Sequence, residues 1–260
     1  MTGSLQTLID SDRYPLDSDD LRATCKQALD REGVLVMPGF LRDTTVEQIR
    51  AEGEAQQHLA YYTANDHTIY LSPIDAHYPP DHPRNRQVSS SKGCITTDQI
   101  PADSPLLTLY ASETFRDFLC HVLGERALYE YADALSSVNL HYASEGQELG
   151  WHFDNSSFAV TLMIQPTLAG GKFEYVRDVR DADAGDMNYP LAGRILDGEI
   201  PVQTLAMQAG ALVLFRGRNS MHRVTPTKGS RTRMLVVLAY NTEPGVALSE
   251  SARMTFYGRL

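Results

Sequence analysis

Between Ser136 and Asn241 the chain runs through five short segments rich in β-branched and aromatic residues: SSVNLHYA, FAVTLMIQP, GKFEYV, ALVLFRG and RMLVVLAYN. Gly, Pro, Asn or Asp separates them. Runs of this length are too short for stable helices and must pair with one another. Several in succession, each bounded by turn formers, close into a barrel or a double-sheet sandwich. Gly170 and Gly171 fit a hairpin turn within this half.

The first half reads differently. From Asp17 to about Asp30 an acidic start precedes Leu21, Cys25, Ala28 and Leu29 at helical spacing, and Gly33 stands where a helix would stop. VLVMPGF then reads as a short buried strand, and Thr45 to His58 as a second helix. Tyr61 to about Ser104 is polar, contains prolines and carries few regular signals, so it is expected to be a long functional loop. A third helix is expected over Ser112–Leu123, where Phe115, Phe118, Leu119 and Val122 recur at three and four and Gly124 ends the run. A chain of 260 residues can form one core. The expectation is a single catalytic domain over 1–260, with a helical part and substrate loop in 1–125 and the β core in 126–245.

Charge removes several function classes. A formal net charge of −10 argues against nucleic acid, whose binding proteins cluster Lys and Arg to displace counterions. The densest basic stretch, Arg216, Arg218, Arg223, Lys228, Arg231 and Arg233, alternates with apolar strand residues, a pattern that suits an anion pocket. Cys25, Cys94 and Cys120 are odd in number and widely spaced, which supports neither a disulfide framework nor a zinc knuckle. No apolar run reaches the roughly 18 residues of a membrane span, and no membrane partner is expected. The amino terminus is acidic without an apolar run, so a cytoplasmic location is expected.

The segment WHFDN carries the sharpest chemical signal. On a strand, His152 and Asp154 project from the same face and can meet one metal. His222 follows 222 − 154 = 68 residues later, just past ALVLFRG, where a barrel strand can return to the same mouth. Two imidazoles and one carboxylate on one side of a metal form the facial triad of non-haem iron(II) oxygenases, with positions left for cosubstrate and dioxygen. A dicarboxylic 2-oxo acid held at such a metal needs a cation for its far carboxylate. Arg231 and Arg233 share one strand parity, so the sequence leaves the choice between them open.

These residues resemble the iron(II)/2-oxoglutarate-dependent dioxygenases, whose fold is a double-stranded β-helix with H-x-D, a distal His and a basic residue shortly beyond it; here the intervals are 231 − 222 = 9 and 233 − 222 = 11. The resemblance implies a mainly β (α+β) chain with flanking helices around a jelly-roll or cupin-like core. It implies iron(II), with 2-oxoglutarate and dioxygen as cosubstrates, and a cosubstrate contact from Tyr142. More narrowly, DHPRNRQVSSSKG, GWHFDNSSFAVTLMIQP and GGKFEYV resemble a group containing radical halogenases and hydroxylases of free amino acids. That likeness implies a small-molecule substrate, a free amino acid first, with Arg84 or Arg86 on its carboxylate and Asn155 near its side chain. Asn155 is neutral where lysine-acting relatives are acidic, and Leu149 is apolar where some relatives are polar, so a different pocket is expected. Halogenases of the group have Gly or Ala in place of the triad carboxylate. Asp154 therefore implies hydroxylation. The alternatives are a radical halogenase, a desaturase or cyclase, a cupin-like metal enzyme without 2-oxoglutarate, or a non-catalytic binding protein. Trp151 reads as packing beside the site. His58, His67, His77, His82, His121 and His141 read as solvated or structural, His141 being the exception to watch because it adjoins Tyr142.

Overall fold

The computed structural model describes residues 4–260. A helical turn α1 (Leu5–Leu8) and helix α2 (Asp19–Glu32) lead into β1 (Val34–Met37) and α3 (Asp43–Gln56). Two strands follow, β2 (Tyr61–Thr68) and β3 (Gln87–Ile95), and then helices α4 (Pro105–Tyr110) and α5 (Glu113–Leu123). The second half comprises β4 (Val138–Ala143), β5 (Leu149–His152), β6 (Ala159–Gln165), β7 (Ala169–Gly170), β8 (Phe173–Val176), α6 (Tyr189–Leu196), β9 (Gln203–Leu205), β10 (Leu212–Phe215), β11 (Met221–Val224), β12 (Thr227–Lys228), β13 (Arg233–Leu238) and α7 (Glu250–Tyr257).

Helix boundaries follow local chemistry. The Ser18 hydroxyl accepts from the Leu21 amide and starts α2, which Gly33 ends at φ 70°. Ser112 caps α5 by accepting from the Phe115 amide, and Gly124 closes it at φ 79°. The apolar faces of these helices, including Leu29, Phe115, Phe118 and Leu119, join Phe40, Leu140, Tyr142, Leu162, Leu214, Met234 and Val236 in the main core. Each such side chain contributes roughly 1.5–3 kcal/mol on burial.

Eleven strands of the described residues form an antiparallel sheet in the order β1-β10-β6-β13-β4-β3-β5-β11-β8-β9, with β2 added beside β3, and β7 pairs separately with β12. At β3–β5 the ladder narrows to one residue pair, Ser90↔Leu149. The sheet curls there, so that β5, β11, β8 and β9 face β4, β13, β6 and β10 across the interior. This is the jelly-roll core expected of the second half. One layer carries helices on its outer face, and strand alternation sends Leu140 and Tyr142 toward those helices and His141 toward the interior.

The stretch from Tyr61 to Ser104 is a loop only in part: β2 and β3 pair over eight residues, Tyr61↔Cys94 to Thr68↔Gln87, and residues 69–86 between them have neither helix nor strand. Its polarity has a structural cause. The edge strand β2 exposes most of its residues, so it lacks the apolar alternation that signals a half-buried strand. No helix of the described residues is long and apolar enough to cross a membrane.

Candidate metal centre and its cavity

β5 ends at His152, and Asp154 lies just beyond it, yet the two side chains still share the inner face. Trp151 and Phe153 point outward into a cluster with Ile69, Tyr70, Val179 and Ala192. Backbone bonds extend the alternation past the strand end: the Phe153 amide donates to Ile69 O at 2.9 Å and the Asp154 amide to Gly217 O at 3.1 Å. His222 sits on β11 directly opposite His152. Its ring is buried against Phe173, at 5.5 Å between centroids, and Phe215, at 4.8 Å.

One ligand atom from each of His152, Asp154 and His222 lies within 4.8 Å of the others. Asp154 Oδ1 is 3.5 Å from His222 Nε2 and 3.8 Å from His152 Nε2. Both histidines are oriented from behind: Nδ1 of His152 bonds Gly150 O at 2.7 Å, and Nδ1 of His222 bonds Ser220 O at 3.0 Å. Because each Nδ1–H donates to a carbonyl, both Nε2 lone pairs are directed at the shared point, as metal-binding imidazoles require. This donor set could hold a divalent first-row metal with iron-type ligation.

Burial alone would raise the Asp154 carboxyl, but the His222 and His152 rings outweigh it and hold Asp154 below the usual carboxylate range. Burial likewise pulls on His222, and the adjacent carboxylate overcomes it and carries the imidazole above its ordinary value. His152 is driven down by burial and by the charge on His222.

The triad opens into a cavity of about 270 Å³ between the two layers. Lys92, His141 and Arg233 line it from the opposite layer. Arg233 is only 5% exposed, and its Nε and Nη2 have no hydrogen-bond partner. Burial pushes this guanidinium down to about 10. Lys92 Nζ donates to His141 Nδ1 at 3.2 Å. Burial lowers Lys92, and burial with the nearby Lys92 and Arg233 charges drives His141 well below the usual histidine value, leaving it a neutral acceptor. Lys92 and Arg233 are the cationic residues of the lining and Asp154 the anionic one, so the cavity suits an anion.

The comparisons with known proteins agree with this architecture. A family model described as Halogenase D matches residues 17–255. The chain belongs to the halogenase D family. Among solved structures, this family member is similar to SnoN, a non-haem α-ketoglutarate-dependent epimerase from nogalamycin biosynthesis, with a TM-score of 0.59 and 12% identity over 86% of this chain and 81% of that one. It is also similar to the carbocyclase SnoK from the same biosynthesis, with a TM-score of 0.56 and 13% identity over 100% and 96% of the two chains. HygX from Streptomyces hygroscopicus, whose structure holds nickel, 2-oxoglutarate and hygromycin B, gives a TM-score of 0.52 and 15% identity over 87% and 92%. At these identities the likeness establishes the shared fold. No curated protein sequence matches the chain.

Within this halogenase D protein, several residues singled out from sequence stand elsewhere. Tyr142 faces the helical layer and donates to Gly53 O at 2.7 Å, so its hydroxyl is directed away from the cavity. The register explains the correction: Tyr142 and its neighbour His141 alternate, and His141 has the inward parity. Arg231 precedes β13 and is exposed, which leaves Arg233 as the arginine brought to the cavity. The rest of the basic stretch is not gathered there: Arg216 pairs with Asp30, Arg218 with Asp183 and Arg223 with Glu174.

An outer cleft of about 770 Å³ adjoins the inner cavity, and Lys92, Leu149 and His152 line both. Asn155 lines this cleft with His67, Ile74, Met254 and Phe256. Neither Arg84 nor Arg86 is among the residues lining either space. Arg86 is engaged by Asp197 at 2.6 Å, while Arg84 retains a buried Nη1 without a partner. Lys92 was missed from sequence because a lone lysine in SSSKG looks like any solvated one, and only the β3–β4 pairing turns it inward beside His141.

Proposed function

We propose that the chain is an iron(II)- and 2-oxoglutarate-dependent hydroxylase of a small polar metabolite, with a free amino acid as the best-fitting class, acting as one catalytic unit over 1–260. The observation that carries this reading is the pairing of two features: a convergent His152, Asp154 and His222 donor set, and the buried, unpartnered guanidinium of Arg233 lining the same cavity.

When bound, iron(II) with 2-oxoglutarate and dioxygen supplies oxidation of an unactivated C–H bond, with succinate and carbon dioxide as by-products. The chain's own groups hold and orient. Nε2 of His152, Nε2 of His222 and a carboxylate oxygen of Asp154 would ligate the metal, which requires both Nε2 atoms unprotonated and the carboxyl ionised. Arg233 would take the far carboxylate of 2-oxoglutarate in a charge-assisted, forked contact. A cavity of about 270 Å³ is at the small end of ligand sites and suits this acid. The outer cleft would receive the substrate, with Asn155 toward its side chain. Lys92, which touches both spaces, is the cation best situated for a substrate carboxylate, a role first sought at Arg84 and Arg86.

The family name favours a second reading, halogenation. Asp154 weighs against it, because its carboxylate occupies the position a halide would take. Three unpaired cysteines support a reducing compartment, the cytoplasm.

The test is a screen of free amino acids for accelerated succinate formation under air, with products read by mass. A one-oxygen gain coupled to succinate, lost in His152→Ala, supports hydroxylation. A chlorinated product from the unaltered protein would replace it with the second reading.

A further inference from the structure

Gly217 lies in the turn between β10 and β11, and its backbone does not call for glycine, since its φ lies outside the left-handed region. Space is what calls for it. A Cβ placed there would overlap the Asp154 carboxylate, at 2.6 Å from Cγ, and would stand 3.0 Å from His222 Cε1. Real Cβ atoms essentially never stand as close as 2.6 Å, so the carboxylate would have to move, whereas the 3.0 Å approach to His222 asks for a shift of only a few tenths of an ångström.

The carboxylate cannot yield locally. Asp154 Cγ is one rotatable bond from its backbone, so clearing the overlap means turning χ1 and swinging the whole carboxylate away from the imidazoles. The Asp154 backbone cannot follow freely, because its amide donates to Gly217 O at 3.1 Å. His222 is held between Phe173 and Phe215 and by its Nδ1 bond to Ser220 O.

We propose that Gly217 is the positioning residue for the third metal ligand: the space beside its Cα admits a carboxylate on residue 154, or a small free anion if residue 154 has no side chain, but not a methyl group on residue 217 together with either. This rests on reading the triad as a metal site. It makes residues 154 and 217 a coupled pair, in which a side chain on one requires its absence from the other.

The experiment titrates cobalt(II) alone into the metal-free full-length protein, the Gly217→Ala and Asp154→Gly variants and the double variant, each with and without formate. Calorimetry and the cobalt visible bands report binding, and melting of the metal-free proteins reports folding. Gly217→Ala is expected to weaken cobalt binding by about 10–100-fold, the range seen when a ligand's support is removed. Formate should restore affinity to Asp154→Gly and not to the double variant. Without formate, Asp154→Gly and the double variant should bind alike. If Gly217→Ala fails to fold, recovery of folding in the double variant still demonstrates the overlap, and no recovery overturns the proposal. Gly217→Ala binding cobalt as tightly as the unaltered protein, with the same bands, would also overturn it. An unaltered protein that binds no cobalt would instead overturn the triad reading.

Discussion

Replacing Arg233 by methionine should raise stability and weaken cosubstrate binding at once. The guanidinium is 5% exposed, two of its nitrogens lack partners, and burial pushes it down to about 10, more than two units below its ordinary value. At neutral pH the group is charged in both folded and unfolded states, so the lowered folded value is a direct penalty on folding. At about 1.4 kcal/mol per pKa unit, that penalty is about 3 kcal/mol. A methionine of similar reach removes it and leaves no other polar group stranded, so the metal-free variant is expected to gain about 1–3 kcal/mol in urea unfolding. The same change deletes a charge-assisted forked contact to 2-oxoglutarate worth about 3–4 kcal/mol, which corresponds to roughly 10²–10³-fold in Kd by calorimetry. Arg231→Met, at an exposed position, should alter neither quantity. A variant at 233 that loses stability while binding 2-oxoglutarate normally would refute the reasoning, because the guanidinium would then be a structural group with partners of its own.

Other outcomes follow from single contacts. Tyr142→Phe should cost about 1–3 kcal/mol by leaving Gly53 O unsatisfied, with no change in 2-oxoglutarate affinity; altered affinity would return this tyrosine to the cosubstrate site. Lys92→Met should lower kcat/KM for an amino acid substrate by roughly 30-fold, about 2 kcal/mol for an ionic hydrogen bond, without loss of stability. Equal turnover by the variant would assign the carboxylate elsewhere. The hydrogen bond from Arg259 holds the Asp98 carboxyl below its usual value and pins the chain beyond α7. A depressed carboxyl contributes stability above its unfolded value, about 3.9, that is lost as pH falls through the folded one. Amide protection in residues 250–257, taken relative to the intrinsic exchange rate at each pH, should therefore fall in acid, and in Asp98→Asn at neutral pH. The effect should be modest and salt-sensitive because the pair is partly exposed. Unchanged exchange in Asp98→Asn would show that the helix is held by packing alone.

The sequence was legible where residue type and spacing act locally. Ser18, Gly33, Ser112 and Gly124 mark helix ends by their own hydrogen bonding and φ, and the second-half strands announce themselves by composition. His152, Asp154 and His222 stood out because few other roles bring these residue types together at strand spacing. What stayed hidden depended on register and on edges. Tyr142 and His141 exchange faces on a one-residue offset, which only the helical layer on one side decides. Arg231 and Arg233 have the same parity, and the point where β13 begins separates them. β2 and β3 pair through backbone groups while carrying mixed polar side chains, so hydrophobic periodicity gave no signal for them or for Lys92. Gly217 looks like any turn glycine until Asp154 is seen beside it.

The most direct test of the central claim is anaerobic loading with iron(II) followed by 2-oxoglutarate, watched for the visible charge-transfer absorption of the chelate in the unaltered protein and in His222→Ala. A band that saturates with one equivalent of 2-oxoglutarate and is absent from the variant is the predicted result. Folded, iron-loaded protein that gives no band, or a His222→Ala protein that gives the same band, would contradict it.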